Sequence, residues 1–259
     1  MKSLVKMWMI IVSVVSVFFC NAGLAEETVR LTNGEWPPYF SENLKHYGIG
    51  SRIVTEAFAL EGIRVEYGFF PWKRGLWMAQ KGEWDGAVGW ETNAGREKDF
   101  YVSKEVWSAP WVFFHLKTYP FDWKTFDDLK NIRIGGTLEY MYTQEFLDAE
   151  RGGKIFVERV SEDNLNIKKL LNRRIDIFPQ LLDIGYFQLQ QTAPESLNLL
   201  THHPKSFGNH TEQLFLTKKK DRSKELTEIF NRGLQRLKDS GKYDQYFEES
   251  RKGEYKKKE

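Results

Sequence analysis

The fold is decided by residues 69–103, which read FFPWKRGLWMAQKGEWDGAVGWETNAGREKDFYVS. Residues 65–70 favour a β-strand that runs into a Pro-Trp turn, and the apolar spacing that follows predicts a helix stopped by Gly82. Residues 85–90 have the apolar character of a buried strand. The stretch therefore predicts a strand, a crossover helix and a second strand of a parallel α/β sheet.

The loop after that second strand carries candidate binding groups. In an open parallel α/β sheet, ligands bind at the carboxyl ends of the strands, so the residues that follow a strand lie at the binding edge. Trp90 ends this strand, and Thr92 and Arg96 follow it. We expect these three residues to contact a ligand.

The N-terminus predicts export. Two lysines precede an apolar run at residues 7–19, and small residues continue to Ala25. The run is shorter than the roughly 20 residues that a membrane span needs. Residues 1–25 are thus predicted to be a cleavable signal peptide, and the mature protein is expected in the periplasm. A lipid anchor on Cys20 is the alternative, which the two phenylalanines before it disfavour.

Charge and composition exclude several classes of protein. Without the signal peptide the basic and acidic residues are equal in number, which leaves no nucleic-acid footprint. The lysines at residues 256–258 are typical of a solvated tail. Cys20 is the only cysteine, so the mature chain has no disulfide, thiolate metal site or cysteine nucleophile.

Sequence motifs for cofactors and catalysis are missing. The histidines at 202, 203 and 210 fit no standard metal spacing, so no metal is predicted. The chain has no glycine-rich phosphate loop, no Gly-x-Ser-x-Gly elbow and no recognisable Ser, His and Asp order. We expect no cofactor, and catalysis has no positive support.

An internal echo predicts two α/β lobes. Residues 76–88 run from a helix through a polar turn into an apolar strand, and residues 170–178 repeat that order. Each copy follows a strand and a crossover helix, the helices being predicted at 49–61 and 137–149. Each half therefore looks like a small parallel sheet of its own.

The crossings between the halves are expected to be short strands near residues 112–115 and 206–212, which would act as a hinge. We accordingly assign residues 26–112 and 208–259 to the first lobe and residues 113–207 to the second.

The chain after Ala25 resembles the bacterial extracellular solute-binding proteins of family 3, which serve polar amino acid importers. The resemblance lies in the order and spacing of several short motifs: NGEWPPY at 33–39, GIG at 48–50, the Trp72 turn, KGEWD at 81–85, GREK at 95–98, FYVS at 100–103, FDDLK at 126–130 and LKDSGKY at 237–243. It implies the type II periplasmic binding protein fold, two α/β lobes joined by a two-strand hinge that close over a small solute. A permease of an ABC importer is the implied partner, and we expect a monomer.

The resemblance also implies a role for Arg96. An arginine after the threonine-containing turn grips the ligand carboxylate in this family, and a guanidinium suits two carboxylate oxygens. Here the turn reads TNAGR at 92–96 in place of the usual Thr-Pro-Glu-Arg. The alternative is a surface ion pair with Glu97 or Asp99.

The family's second anchor, an acid of the other lobe that receives the ligand ammonium, transfers less cleanly. Asp183 is the nearest acid after the strand, and it falls later than expected. Gln180 is a candidate hydrogen-bonding residue, whereas Asp183 could instead cap a helix beginning near Ile184. Thr137 could assist an anionic group at a helix start or simply cap that helix.

Aromatic and charged residues complete the candidate site. Four rings, Trp36, Tyr39, Trp72 and Trp90, occupy loops or strand ends at the expected edge and are assigned to the cleft, with core packing as the alternative. Glu35 precedes the Trp36 turn, and Arg74 lies in the first turn of its helix, where its charge does not favour the helix dipole. We expect both to face the ligand, although Arg74 could equally be solvated.

Three functions remain open. The leading one is a periplasmic binding protein that delivers a polar, amino-acid-like solute to an ABC importer. The second is an enzyme on the same fold that resembles cyclohexadienyl dehydratase, with Glu35 or Asp183 as general acid. The third is a sensing protein whose closed form is presented to a receptor.

Overall fold

The computed structural model describes residues 27–138, 140 and 142–256. The predicted signal peptide at residues 1–25, with Cys20, lies outside these residues. In chain order the described elements are β1 (Glu27–Asn33), α1 (Ile49–Ala59), β2 (Ile63–Phe69), α2 (Trp72–Lys81), β3 (Gly86–Trp90), β4 (Phe100–Leu116), β5 (Ile134–Thr137), α3 (Gln144–Arg151), β6 (Val157–Val160), α4 (Asp163–Leu171), β7 (Ile177–Leu181), α5 (Leu182–Thr192), β8 (Leu200–His202), β9 (Asn209–Thr217), α6 (Ser223–Asp239) and α7 (Lys242–Arg251).

The fold class is α/β, as predicted, with two lobes of the type II periplasmic binding protein architecture. In the first lobe β1 lies parallel to both β2 and β3, and in the second β5 lies parallel to both β6 and β7. The strands run in the order β2-β1-β3-β9-β4-β7-β5-β6, and β8 pairs with β4. The decisive stretch behaves as its sequence predicts, since Gly82 ends α2 in the left-handed conformation at φ 83°.

Strands β4 and β9 form the connection between the lobes. Ser108 and Pro110 of β4 pair with Thr211 and Asn209 of β9, and from Trp111 onward β4 changes partner and pairs with β7. We propose on this basis the division that the sequence predicts, residues 26–112 and 208–259 in one lobe and 113–207 in the other.

The second lobe corrects one predicted helix start. Thr137 was expected to open a helix over residues 137–149, but it is the last residue of β5, and α3 begins at Gln144. The hydroxyl of Thr143 accepts a hydrogen bond from the Phe146 amide at 3.3 Å, which makes Thr143 the N-cap. Thr137 is thereby left at the carboxyl end of a strand.

The long helix α6 packs closely on α1 at Gly233, which has no side chain to separate the two helices. Gly233 faces the α1 backbone so closely that an added Cβ would lie 2.0 Å from the carbonyl oxygen of Ala57. Nearby, the rings of Phe58 and Phe230 lie 5.1 Å apart, and both are fully buried. The closeness of the two helices therefore depends on glycine at this position.

Replacing Gly233 with alanine is expected to destabilise the protein by about 1–3 kcal/mol, because the new methyl group has no room against a backbone carbonyl. Thermal unfolding followed by circular dichroism measures the effect. Gly95→Ala is the matched control, since Gly95 lies in an exposed turn at φ −71° and an added Cβ there would meet only the side-chain oxygen of Asn93, at 3.2 Å. Equal melting temperatures for Gly233→Ala and the control would contradict this account of the packing.

Candidate functional site

Arg96 lies at the carboxyl edge of the first lobe, as the sequence predicts from topology. Its guanidinium carbon sits 4.7 Å from the centre of the Trp90 ring, and its Nη1 donates to the carbonyl oxygen of Glu91. The Thr92 hydroxyl donates to Glu97 at 3.0 Å, and Asp99 accepts from Gln80. Within the described part of the chain no carboxylate pairs with Arg96, so its remaining N–H groups are available to an anion.

Three of the four predicted cleft rings surround this edge. Trp72 and Trp90 meet edge to face at 5.7 Å, and the indole N–H of Trp72 donates to the carbonyl oxygen of Glu35 at 3.4 Å. Trp36 lies further along the edge, with its ring 5.2 Å from that of His210. All three indoles are half-buried, so each keeps an accessible part.

Tyr39, the fourth ring, is placed differently. It is fully buried and stacks on Trp107 at 3.8 Å, and its hydroxyl donates to Asp183 at 3.1 Å. Arg251 of α7 donates to the other carboxylate oxygen of Asp183 at 2.6 Å. The helix-cap alternative for Asp183 is wrong, because α5 already begins at Leu182 and has no side-chain cap.

The contact between Tyr39, Asp183 and Arg251 is called the rear clasp below. It joins the loop after β1, the start of α5 and the end of α7, so it ties the two lobes together. A protein cation already compensates the Asp183 charge, and the carboxylate side chain is only 2% exposed. The clasp therefore leaves Asp183 with less capacity for a ligand than its sequence position suggested.

In the second lobe, Thr137 and Gln180 converge on an acid that sequence reasoning missed. The Asp163 carboxylate accepts hydrogen bonds from the Thr137 hydroxyl at 2.5 Å, the Tyr140 hydroxyl at 2.7 Å and the Gln180 amide at 2.9 Å. Asn166 donates to the Thr137 hydroxyl at 3.1 Å and fixes its orientation. Thr137 and Gln180 thus hold a buried carboxylate at the carboxyl ends of β5 and β7.

The charge of Asp163 has no cationic partner among the described residues. Burial raises the pKa of this carboxyl, while its neutral donors act in the opposite direction. Burial also raises the pKa of Tyr140 well above its usual range, so the phenol remains a donor at neutral pH. Thr137, Tyr140 and Asp163 line a cavity of about 320 Å³.

The strands that connect the lobes carry a second buried acid. His210 Nε2 lies 2.5 Å from Glu212 Oε1, whereas Glu212 Oε2 has no hydrogen-bond partner in the described structure. The rings of Trp36 and Trp107 flank the imidazole at 5.2 and 5.7 Å. Sequence reasoning placed His210 and Glu212 in a polar crossing and gave them no role.

Glu35 and Arg74, both expected to face the ligand, are exposed and form no ion pair with each other. Glu35 is exposed and accepts from the Glu42 amide at 2.8 Å. Arg74 is exposed as well, with its guanidinium 5.7 Å from the Phe70 ring. Their assignment to the site stays a prediction.

An open groove of about 940 Å³ lies elsewhere, between the loop at residues 123–127, α3 and residues 205–209. Lys154 pairs there with Asp127 at 3.1 Å, so part of its charge is already compensated. The sheet edges are the better candidate for the solute site despite their smaller cavities. There Arg96 and Asp163 have no oppositely charged partner among the described residues.

Two further classes of site are not found in the described ranges 27–138, 140 and 142–256. No helix there has the length and apolar character to cross a bilayer. No group of three or more histidine, cysteine, aspartate or glutamate side chains is arranged to hold a metal ion.

With fold and site described, comparison with known proteins gives the class. The profile of the bacterial extracellular solute-binding proteins, family 3, matches residues 29–250. The chain belongs to this family, and its role is solute binding. No curated protein matches the sequence significantly.

Solved structures share the fold at low sequence identity. A substrate-binding domain from Streptococcus pneumoniae is 17% identical with a TM-score of 0.70, over 86% of this chain and 99% of that one. The second substrate-binding domain of Lactococcus lactis GlnP, in an open conformation, is 16% identical with a TM-score of 0.68, over 87% and 96%. AbpA of S. pneumoniae, bound to L-arginine, is 18% identical with a TM-score of 0.56, over 90% and 97%.

Replacing Arg251 with alanine is expected to lower the free energy of unfolding by about 1–3 kcal/mol, because the buried Asp183 loses its one cationic partner among the described residues. Chemical denaturation at neutral pH measures the change. Arg151→Ala is the control, since its pair with Asp148 is more than half exposed and is expected to contribute about 0–1 kcal/mol. A loss no larger than that of the control would show that the rear clasp adds little to stability.

Proposed function

We propose that this protein captures a small amino-acid-like solute between its lobes and delivers it to an ABC importer. The observation that carries the proposal is the guanidinium of Arg96, which lies over Trp90 at a carboxyl sheet edge and has no carboxylate partner among the residues that the structure describes. An arginine in that state suits a carboxylate, which it can bind through two parallel N–H groups.

The second lobe supports an amino group on the same solute. Asp163 is a buried acid held by three neutral donors, and it lies at the corresponding edge of the other sheet. A bound ammonium would supply the compensating charge that the protein does not. We assign to Asp163 the role that the sequence gave to Asp183, and we place Thr137 and Gln180 behind it as supporting residues.

The similar proteins agree with this class of solute. AbpA is bound to L-arginine, and the family comprises extracellular solute-binding proteins. A solute that contacts both Arg96 and Asp163 favours the closed form, because the solute can touch both lobes only when the lobes are close together. We propose a periplasmic monomer whose closed form is recognised by an inner-membrane permease.

A binding role is favoured over the dehydratase alternative. Glu35, one of the two proposed general acids, already accepts a backbone hydrogen bond, and the other, Asp183, is held by Arg251 and Tyr39. Both carboxylates are thus engaged by protein donors, whereas a general acid must be positioned within hydrogen-bond reach of the substrate.

Thermal-shift and calorimetric screens of the mature protein against amino acids, amines, sugars and prephenate test the proposal. An amino acid at 100 times its dissociation constant is expected to stabilise the fold by about 2.7 kcal/mol.

Arg96→Ala is expected to weaken that binding by on the order of 2 kcal/mol or more. Arg232→Ala, an exposed change on α6, is the control. Conversion of prephenate, or an amino acid affinity indifferent to Arg96, would contradict the proposal.

Asp163→Asn separates binding from stability. Because burial raises the pKa of Asp163, the ionised carboxyl lowers stability at neutral pH, and this penalty disappears as the pH falls below the ordinary carboxyl pKa of about 3.9. The melting temperature of the variant minus that of the wild type is therefore expected to fall as the pH is lowered from 7 into the acid range, because only the wild type loses the penalty. Its affinity for the amino acid should fall by about tenfold or more.

The control for this variant is Glu145→Gln, which removes an exposed charge from α3 of the same lobe. Unchanged amino acid affinity in a folded Asp163→Asn protein would remove Asp163 from the site.

A further inference from the structure

The strands that connect the lobes turn one face toward the loops after β1 and β3. Trp107 is opposite Glu212, and Ala109 is opposite His210, so these four side chains lie on the same side of the ribbon. Ser108 and Pro110 point the other way, where they line a cavity together with Phe247 and Arg251 of α7. His210 and Glu212 therefore face away from α7.

Contacts from two other elements show that this face belongs to the binding edge. Trp36, in the loop after β1, packs its ring against His210. Glu91 and Arg96, in the loop after β3, are near enough to act electrostatically on Glu212. The carboxyl ends of β1 and β3 thus converge on the His210–Glu212 pair, which forms the floor of the proposed solute site.

The hydrogen bond between His210 and Glu212 determines which ring nitrogen of His210 can accept a hydrogen bond from a ligand. Ionised Glu212 can only accept, so Nε2 of His210 carries the proton. In the tautomer with the proton on Nε2, the other ring nitrogen, Nδ1, is an acceptor. The ring is half-buried and lies beside the indole of Trp36, whose π-face also attracts cations. The accessible part of the floor consequently offers an acceptor and an aromatic surface.

The buried carboxylate of Glu212, behind the His210 and Trp36 rings, has few groups that stabilise its negative charge. Glu212 is 3% exposed, its Oε2 has no hydrogen-bond partner in the described structure, and no lysine or arginine contacts its carboxylate. Burial raises the pKa of Glu212, which Glu91 raises further while His210 and Arg96 lower it. A solute carboxylate on Arg96 would offset the charge of that arginine.

We infer that Glu212, acting with His210 and Trp36, selects amino acids that carry a second, positively charged nitrogen at the far end of the side chain. This inference rests on the proposed function and specifies its solute. The α-carboxylate lies on Arg96, and the distal cation donates to His210 Nδ1 beside the Trp36 ring. The Glu212 charge provides the preference for a cation over a neutral group of the same shape.

Isothermal titration with two pairs of isosteric probes tests this. L-Arginine is compared with L-citrulline, and L-ornithine with L-norleucine, because each pair differs mainly in the distal charge. At least one cationic probe is expected to bind about tenfold or more tightly than its neutral counterpart. In Glu212→Gln, which keeps the side-chain shape, that preference is expected to fall toward equality.

Glu105→Gln is the matched control, because Glu105 is an exposed carboxylate on the same ribbon, and this variant should keep the preference. Equal binding of charged and neutral probes by the wild type, or an undiminished preference in folded Glu212→Gln, overturns the inference. If neutral amino acids bind in an Arg96-dependent way and the cationic probes do not, the inference fails while the proposed function stands. If no amino acid binds, both fail.

Discussion

One strand, β4, is the constraint on which the rest of this structure depends. Its first part pairs with β9, and after Pro110 it pairs with β7, so a single backbone carries the ladders of both lobes. Proline lacks the N–H that a continuous ladder would use, which suits the place where one partner replaces another. Because side chains alternate along a strand, this crossing also determines which residues face the cleft and which face α7.

The two parallel sheets meet this crossing with their functional ends. Arg96 follows β3 in one lobe, and Thr137 and Gln180 end or approach the end of β5 and β7 in the other. The same topological rule, applied twice, places a cation on one side and a buried acid on the other. In the proposed function, closure of the lobes brings these opposite charges to a single zwitterionic solute.

The sequence predicted the parts of this arrangement that depend on local pattern. Apolar periodicity and Gly82 were sufficient for the decisive strand, helix and strand, and the position of Arg96 followed from the direction of β3. Asp163 and Glu212 were missed because their significance comes from tertiary contacts, namely those of Asp163 with Thr137, 26 positions earlier, and of Glu212 with its ladder partner Trp107. The start of α3 was misjudged because both Thr137 and Thr143 are good N-cap residues, and only the length of β5 decides between them.

Three buried acids illustrate how the surroundings of a side chain separate structural from ligand-directed charge. Asp183 has a guanidinium at 2.6 Å, so the protein itself compensates its charge, and removing that partner should be felt as lost stability. Asp163 has only neutral donors, and Glu212 has a single imidazole and one oxygen without a partner. A fold that keeps two such carboxylates accepts a desolvation cost that the hydrogen bonds within the described chain offset only in part. A cationic solute would offset this desolvation cost. The cost lowers the stability of the protein without solute, and its removal on binding would add to the affinity for the solute.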